Sequence, residues 1–291
     1  FKVFASALGP THCCVWESVG SMKRNRTGPV RPRLSRASRR KLAKLRSFGV
    51  PLVIWQLCAW CLLTGLCDGA TPLDSLEAFA GLGALTAELA RLGLLTFAYD
   101  VNNDTQRQDI LSDHGFGFLL VLLLRLGPLG LLWLGICCSN WIWVSRSNTG
   151  RSHARPMGER RFAKVRRSNL MVSRGIVLLW VGAALELLLN LEQPFSSIME
   201  FHDRFQQFLR MMHSKGLPFY RVRVLLGEFG AEIAKPLMIF TNSKIMEKVN
   251  AYRTTRITSS GLGSHYWPVS YTHLRAHETD SYLVCRLLLE K

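Results

Sequence analysis

Acidic side chains are scarce in this chain: 20 Asp and Glu stand against 37 Lys and Arg in 291 residues, and residues 21–46 hold 11 Lys and Arg with no acid at all. A segment that cannot neutralise itself is either solvated or meets phosphate. This one also lacks aromatic rings to stack on bases, so residues 1–47 read as a disordered basic arm. Residues 151–174 add 8 Lys and Arg beside one Glu, and outside these two segments the chain is close to neutral. Cysteine is too unevenly placed for a disulfide framework: the 8 residues are scattered through a chain whose 48% apolar content is ample for a core. Cys58-x-x-Cys61 lies in an apolar run without His, which argues against a metal or redox site. No internal repeat is visible.

Long uncharged runs are equally rare. Phe48 to Cys67 runs about twenty residues without a charge, and it follows a basic cluster. It fits a membrane anchor, and it fits as well a buried helix covering one face of a sheet. The apolar runs 116–124 and 176–189 are too short or too interrupted to span, and serve as core elements.

From residue 73 onward, strand-like and helix-like patterns alternate. Strands are predicted at 75–80, 95–99, 109–110, 130–137 and 187–191, with helices at 84–92, 114–126, 168–185 and 198–213. Gly127-Pro128 is the expected stop of the second of these helices. Residues 218–226 and 237–241 are expected to close the sheet as an antiparallel pair. This order predicts an α/β fold, an open Rossmann-like sheet with helices on both faces, over residues 73–245. Ligands in such sheets bind beyond the carboxyl ends of the strands, which nominates Glu77 to Gly83, Asp100, Asp109, Cys137-Cys138 and Glu192 as one cluster.

The densest signal is Glu77-Ala-Phe79-Ala-Gly81-Leu-Gly83-Ala-Leu-Thr86. It follows a predicted strand and opens a predicted helix. The glycines let the backbone approach a ligand where a Cβ would collide. A third glycine is missing, which argues against a dinucleotide fingerprint. Asp100 ends the next strand, where nucleotide-binding sheets place a carboxylate for ribose hydroxyls. This set resembles the first motif of S-adenosylmethionine-dependent methyltransferases, and more narrowly the Phe-Ala-Gly-x-Gly form of the cytosine-5 DNA methyltransferases.

The resemblance implies a class I methyltransferase fold with S-adenosyl-L-methionine as cofactor and a nucleic-acid base, in DNA rather than RNA, as methyl acceptor. Glu77, Phe79, Gly81, Gly83, Asp100 and Asp109 would form the cofactor site, Asp100 on the ribose and Asp109 near the adenine. Such chemistry needs a thiolate to add to ring carbon 6 and an acid to hydrogen-bond ring nitrogen 3, on a base taken out of the stack. By position Cys138 matches the nucleophile and Glu192 the acid. Cys137 stands where the family has proline, and Gln193-Pro194 where it has Asn-Val. Read from the residues alone, Cys137-Cys138 are two small side chains ending a core strand, and Glu192 is a cap or ion-pair partner.

Residues 141–174 occupy the place of the family's mobile loop over the target base. Arg146, Arg151, Arg166 and Arg167 there, with Lys235 in a later segment, are the candidate phosphate contacts; a flexible charged surface loop is the alternative. Residues 227–240 resemble the family's late segment but hold no Gln-x-Arg-x-Arg. Two other functions stay open: a catalytically inactive binding protein of the same fold, and a membrane-anchored methyltransferase of small molecules. A nuclear or cytoplasmic location follows from the first reading. The chain opens on Phe1, which predicts a missing start; residues 246–291 read as unstructured tail, and 269–291 resemble a translated sequencing adapter.

Overall fold

Ser35 and Gly49 bracket a helix where a disordered arm was expected. In the computed structural model, which describes residues 34–67, 70–226 and 235–251, the Ser35 hydroxyl accepts the Ser38 N–H at 3.0 Å and Gly49 ends the helix with φ 83°. The expectations for residues 1–33, for 227–234 and for the adapter-like tail lie outside the described residues. Helix α1 (Arg36–Phe48) buries Leu42 and Leu45 and leaves Arg36, Arg39, Arg40 and Arg46 in water. That apolar stripe is what gives the last third of the arm a fixed place. Helix α2 (Leu52–Leu63) is the expected apolar segment; it buries Cys58, Ala59, Cys61 and Leu62, and the Trp55 indole donates back to the Leu42 carbonyl at 3.0 Å. No helix among the described residues is long and apolar enough to cross a membrane.

Strands β1 (Leu73–Ala78), β2 (Thr96–Tyr99), β3 (Leu126–Leu134), β4 (Leu188–Pro194), β5 (Tyr220–Leu225) and β6 (Pro236–Thr241) form a six-stranded sheet in the order β2-β1-β3-β4-β6-β5. The first four run parallel, and β6 and β5 close the edge antiparallel. Helices α3 (Ala84–Arg91), α4 (Asp113–Arg125), α5 (Arg146–Thr149), α6 (Ala163–Ala184) and α7 (Asp203–Ser214) complete the fold. The molecule is an α/β protein with a mixed, Rossmann-like sheet flanked by helices.

Period-two alternation sorts the strand residues between two cores. Leu76, Leu132, Leu134, Leu189, Leu191 and Phe240 meet α1, α2, α4, α6 and α7 on one face. Trp133, Val222, Val224, Leu237 and Ile239 meet Leu85 and Leu89 of α3 on the other. Met246 and Val249 of a 3₁₀ helix, Lys244–Ala251, pack there too, so the predicted tail starts later than residue 246.

Two local expectations are corrected. Asp109-Ile110 is a loop, not a third strand: Asp109 Oδ1 accepts the Leu111 N–H at 2.9 Å and its carbonyl accepts from Ser112, which turns the chain straight into α4. Gly127-Pro128 does not separate α4 from β3, since the strand begins at Leu126 directly after Arg125. Pairing shifts between Leu73↔Leu126 and Ser75↔Leu131, and Leu129 takes φ 57°. Proline is tolerated there because a bulge needs no N–H from it.

The chain leaves β1 for β2 on one side and returns to β3 on the other. In open α/β sheets such a reversal, at the carboxyl ends of the strands, is where ligands bind.

Candidate functional site

The tip of β1 turns sharply through three left-handed positions at alternate residues: Phe79 (φ 64°), Gly81 (φ 56°) and Gly83 (φ 67°). The Phe79 and Ala80 N–H groups both reach the Tyr99 carbonyl, at 2.8 and 3.2 Å, which docks the turn on β2. Asp100 then locks it. Its Oδ2 accepts the Gly81 N–H at 3.0 Å, its Oδ1 accepts the Asn102 N–H at 2.9 Å, and its own N–H donates to Gln108. A Cβ at Gly81 would meet nothing within 4 Å among the described residues, while one at Gly83 would sit 3.4 Å from Ala98. The bend at Gly81 is therefore open on its outer side, with Leu82 projecting beside it at 70% exposure.

Glu77 plays a different part from the one expected. Its buried Oε2 accepts both the backbone N–H and the hydroxyl of Thr86, at 2.8 and 2.6 Å. The carboxylate thus caps the first turn of α3 and fixes that helix to β1. Gly135, at the end of β3, closes the other wall: its N–H reaches the Ala78 carbonyl at 3.0 Å, and a Cβ there would stand 3.4 Å from the Phe79 carbonyl.

Asp109 lies on the same side of the sheet end. Burial pushes the Tyr99 phenol well above its ordinary value, the Asp109 charge adds to that, Arg174 opposes it and Asp100 contributes a smaller push. Both acids thus act on one buried ring, whose hydroxyl has no hydrogen-bond partner among the described residues. Arg174 is occupied with the carbonyls of Ile110 and Ser112 at 2.7 Å and with Asp113.

Beyond β3, Cys137 is exposed and Cys138 is 3% exposed. Burial pushes the Cys138 thiol up to about 12, with Cys137 adding and Lys235 opposing; Glu192 raises it further. Sequence-distant Cys138, Glu192 and Lys235 are thus brought within electrostatic reach of one another. At neutral pH the Cys138 group is a thiol, not a thiolate. Glu192, buried in β4, pairs with Ile239 of β6. Gln193 ties the two strand ends together: its Nε2 donates to the Ile136 carbonyl at 2.6 Å, and its Oε1 accepts from Ser197 at 3.0 Å.

The cations separate into two groups. Arg151, expected to face phosphate, is 2% exposed and stacks over Trp141 at 3.5 Å, with bonds to Ser168, Asn169 and the Pro156 carbonyl. Burial lowers it to about 10. It anchors the loop from within and is withdrawn as a phosphate contact. Arg146 lies over Trp143, 4.0 Å from the ring centre. Arg166 and Arg167 are exposed at the start of α6, where Arg166 also holds the Arg160 and Arg161 carbonyls at 2.9 Å.

Sequence reasoning passed over the aromatic wall of this end of the molecule. Trp143, Phe195 and Phe201 border an open cleft of about 430 Å³ with Arg146, His153 and Glu200. The adjacency Trp141-Ile-Trp143 after one strand and Pro194-Phe195 after the next was the available signal.

The fold is that of an α/β protein whose mixed sheet reverses strand order at β1, with the glycine bend and Asp100 at that point. No family model matches the chain, and no curated protein matches it in sequence.

Proposed function

We propose that this protein is an S-adenosylmethionine-dependent methyltransferase acting on a nucleic-acid base, similar to the cytosine-5 enzymes. The observation that carries the reading is the open Gly81 bend held by Asp100. A nucleoside needs close backbone approach on one side and a carboxylate for its hydroxyls on the other. Both Asp100 oxygens accept one N–H each, and a carboxylate has about four acceptor positions, so capacity remains for two hydroxyls.

The residues fit the cofactor. Gly81 and Gly83 would face it, Asp100 would hold the ribose, Asp109 would stand near the adenine, and Phe79 would shape the turn. Bound there, S-adenosylmethionine supplies an electrophilic methyl group. Glu192 would donate a hydrogen bond to the target ring. The Cys138 sulfur would add to ring carbon 6 once its proton has passed to solvent, a loss that the Lys235 charge favours.

Titrating the full chain with S-adenosylmethionine in a calorimeter tests the cofactor site: binding heat is expected from wild type and none from Asp100→Ala. A folded wild-type sample without heat overturns the proposal. A second reading, a binding protein of the same fold without catalysis, is favoured by the buried, protonated state of Cys138. Methyl transfer from labelled cofactor to single- or double-stranded DNA, lost in Cys138→Ser, decides for the enzyme.

A further inference from the structure

Three large aromatic side chains are exposed around one cleft: Trp143 at 66%, Phe195 at 48% and Phe201 at 36%. They come from the segments that follow β3 and β4, and these segments are joined where the Ile198 N–H meets the Trp141 carbonyl at 3.0 Å. The wall therefore stands beside the strand ends that carry Cys138 and Glu192. Water-exposed rings converging on one cavity are uncommon on a surface with no ligand to cover them.

Each ring already has a cation or ring edge against it. The Arg146 guanidinium lies 4.0 Å from the Trp143 centre and that of Arg223 4.5 Å from the Phe195 centre, while His153 meets Phe201 edge-on at 4.8 Å. Arg146 Nε is buried and makes no hydrogen bond among the described residues. The acid of the cleft, Glu200, is committed to Arg221 at 3.0 Å. The surface is consequently aromatic and cationic together, with its negative charge already paired.

Flat faces next to guanidinium groups match one chemistry best: unpaired bases stack on the rings while the phosphates that join them lie against arginine. A duplex cannot use such a wall, because its bases are stacked on one another. An acidic peptide would satisfy the cations but leave the ring faces uncovered. The cavity volume, about 430 Å³, lies at the small-ligand end of pocket sizes and suits one or two bases.

We infer that the Trp143–Phe195 cleft is a stacking platform for single-stranded nucleic acid, holding nucleotides that flank the base delivered to the strand ends. The inference rests on the proposed nucleic-acid substrate, and it requires neither the cofactor nor catalysis.

The test is fluorescence anisotropy of the full chain with a labelled oligothymidylate of about 12 nucleotides and with a hairpin duplex of similar charge. Measurements run at about 0.15 M salt, where surface charge alone is screened. The single strand is expected to bind at least about tenfold more tightly than the hairpin. Trp143→Ala should weaken it by about tenfold, Phe195→Ala by a smaller factor, and neither should change hairpin binding by more than about twofold. Trp143 is exposed, so its variant keeps the fold; circular dichroism checks this. Equal binding of the strand by wild type and Trp143→Ala overturns the platform, as does preference for the hairpin. Displacement of the strand by polyglutamate as effectively as by unlabelled oligonucleotide assigns the cleft to an acidic protein and overturns it too. Cofactor heat with unaltered Trp143→Ala binding would sink the platform alone; lost strand binding without cofactor heat would sink the methyltransferase alone.

Discussion

The Asp100 carboxylate accepts the Gly81 backbone N–H at 3.0 Å, so the tip of β2 holds the bend that leaves β1. One side chain thereby sets the shape of the turn. Asp100→Ala strands the Gly81 and Asn102 donors and is expected to cost about 2 kcal/mol. Urea denaturation measures that cost. An unchanged midpoint would show that the turn holds itself.

Gly81 and Gly115 should separate binding from folding. Gly81→Ala places a methyl group in open space at φ 56°, a strain of about 1 kcal/mol, while filling the proposed cofactor contact. Its expected signature is a nearly normal melt with S-adenosylmethionine binding lost. Gly115→Ala would bring a Cβ to 2.1 Å from the Asp109 carbonyl oxygen, and backbone cannot yield as a flexible side chain would. A loss of about 3 kcal/mol or more is expected, read from thermal unfolding.

Glu77 is buried and receives two bonds from Thr86, at 2.8 and 2.6 Å. Thr86→Val removes the hydroxyl donor and leaves the carboxylate under-satisfied. Destabilisation of about 1–3 kcal/mol is expected; Thr86→Ser, which keeps the hydroxyl, should recover most of it in the same denaturation assay.

Thiol chemistry should distinguish the neighbouring cysteines. Cys137 is exposed, whereas Cys138 is buried with its thiol pushed up to about 12. Iodoacetamide at pH 8, followed by peptide mass analysis, is expected to alkylate Cys137 in the native protein and Cys138 only after unfolding. Equal native labelling would contradict the buried thiol.

His202 is fully buried, and burial lowers it to about 4, with Arg151 and Arg204 adding to that and Asp203 opposing it. The unfolded chain takes up this proton below its ordinary value of 6.5, while the folded chain does not until near 4. Stability is therefore full above pH 6.5 and falls as pH drops toward 4. Between pH 6.5 and 5 the loss from this group is about 2 kcal/mol. Melting curves across that window should flatten in His202→Gln; an identical slope would remove His202 as the cause.

Local chemistry carried much of the reading. The glycine bend, the acid at the end of β2, the strand–helix alternation and the closing antiparallel pair are set by neighbours a few residues apart, and a linear pattern records them. The basic arm misled because its cations dominate the count, while the Leu42 and Leu45 stripe that seats α1 is only two residues deep. Asp109-Ile110 looked like strand, but the Asx turn into α4 claims its hydrogen bonds.

What the chain determined alone was thus an α/β order with an open bend and a carboxylate across from it. Which cysteine faces water, which arginine is withdrawn under Trp141, and which aromatics gather at one cleft were decided by the packed structure. Those outcomes depend on burial and charge supplied by residues far apart in the chain: Lys235 beside Cys138, Ser168 and Asn169 around Arg151, Phe195 opposite Trp143. Desolvation acts on a side chain only once distant segments have closed over it, and no local pattern encodes that closure.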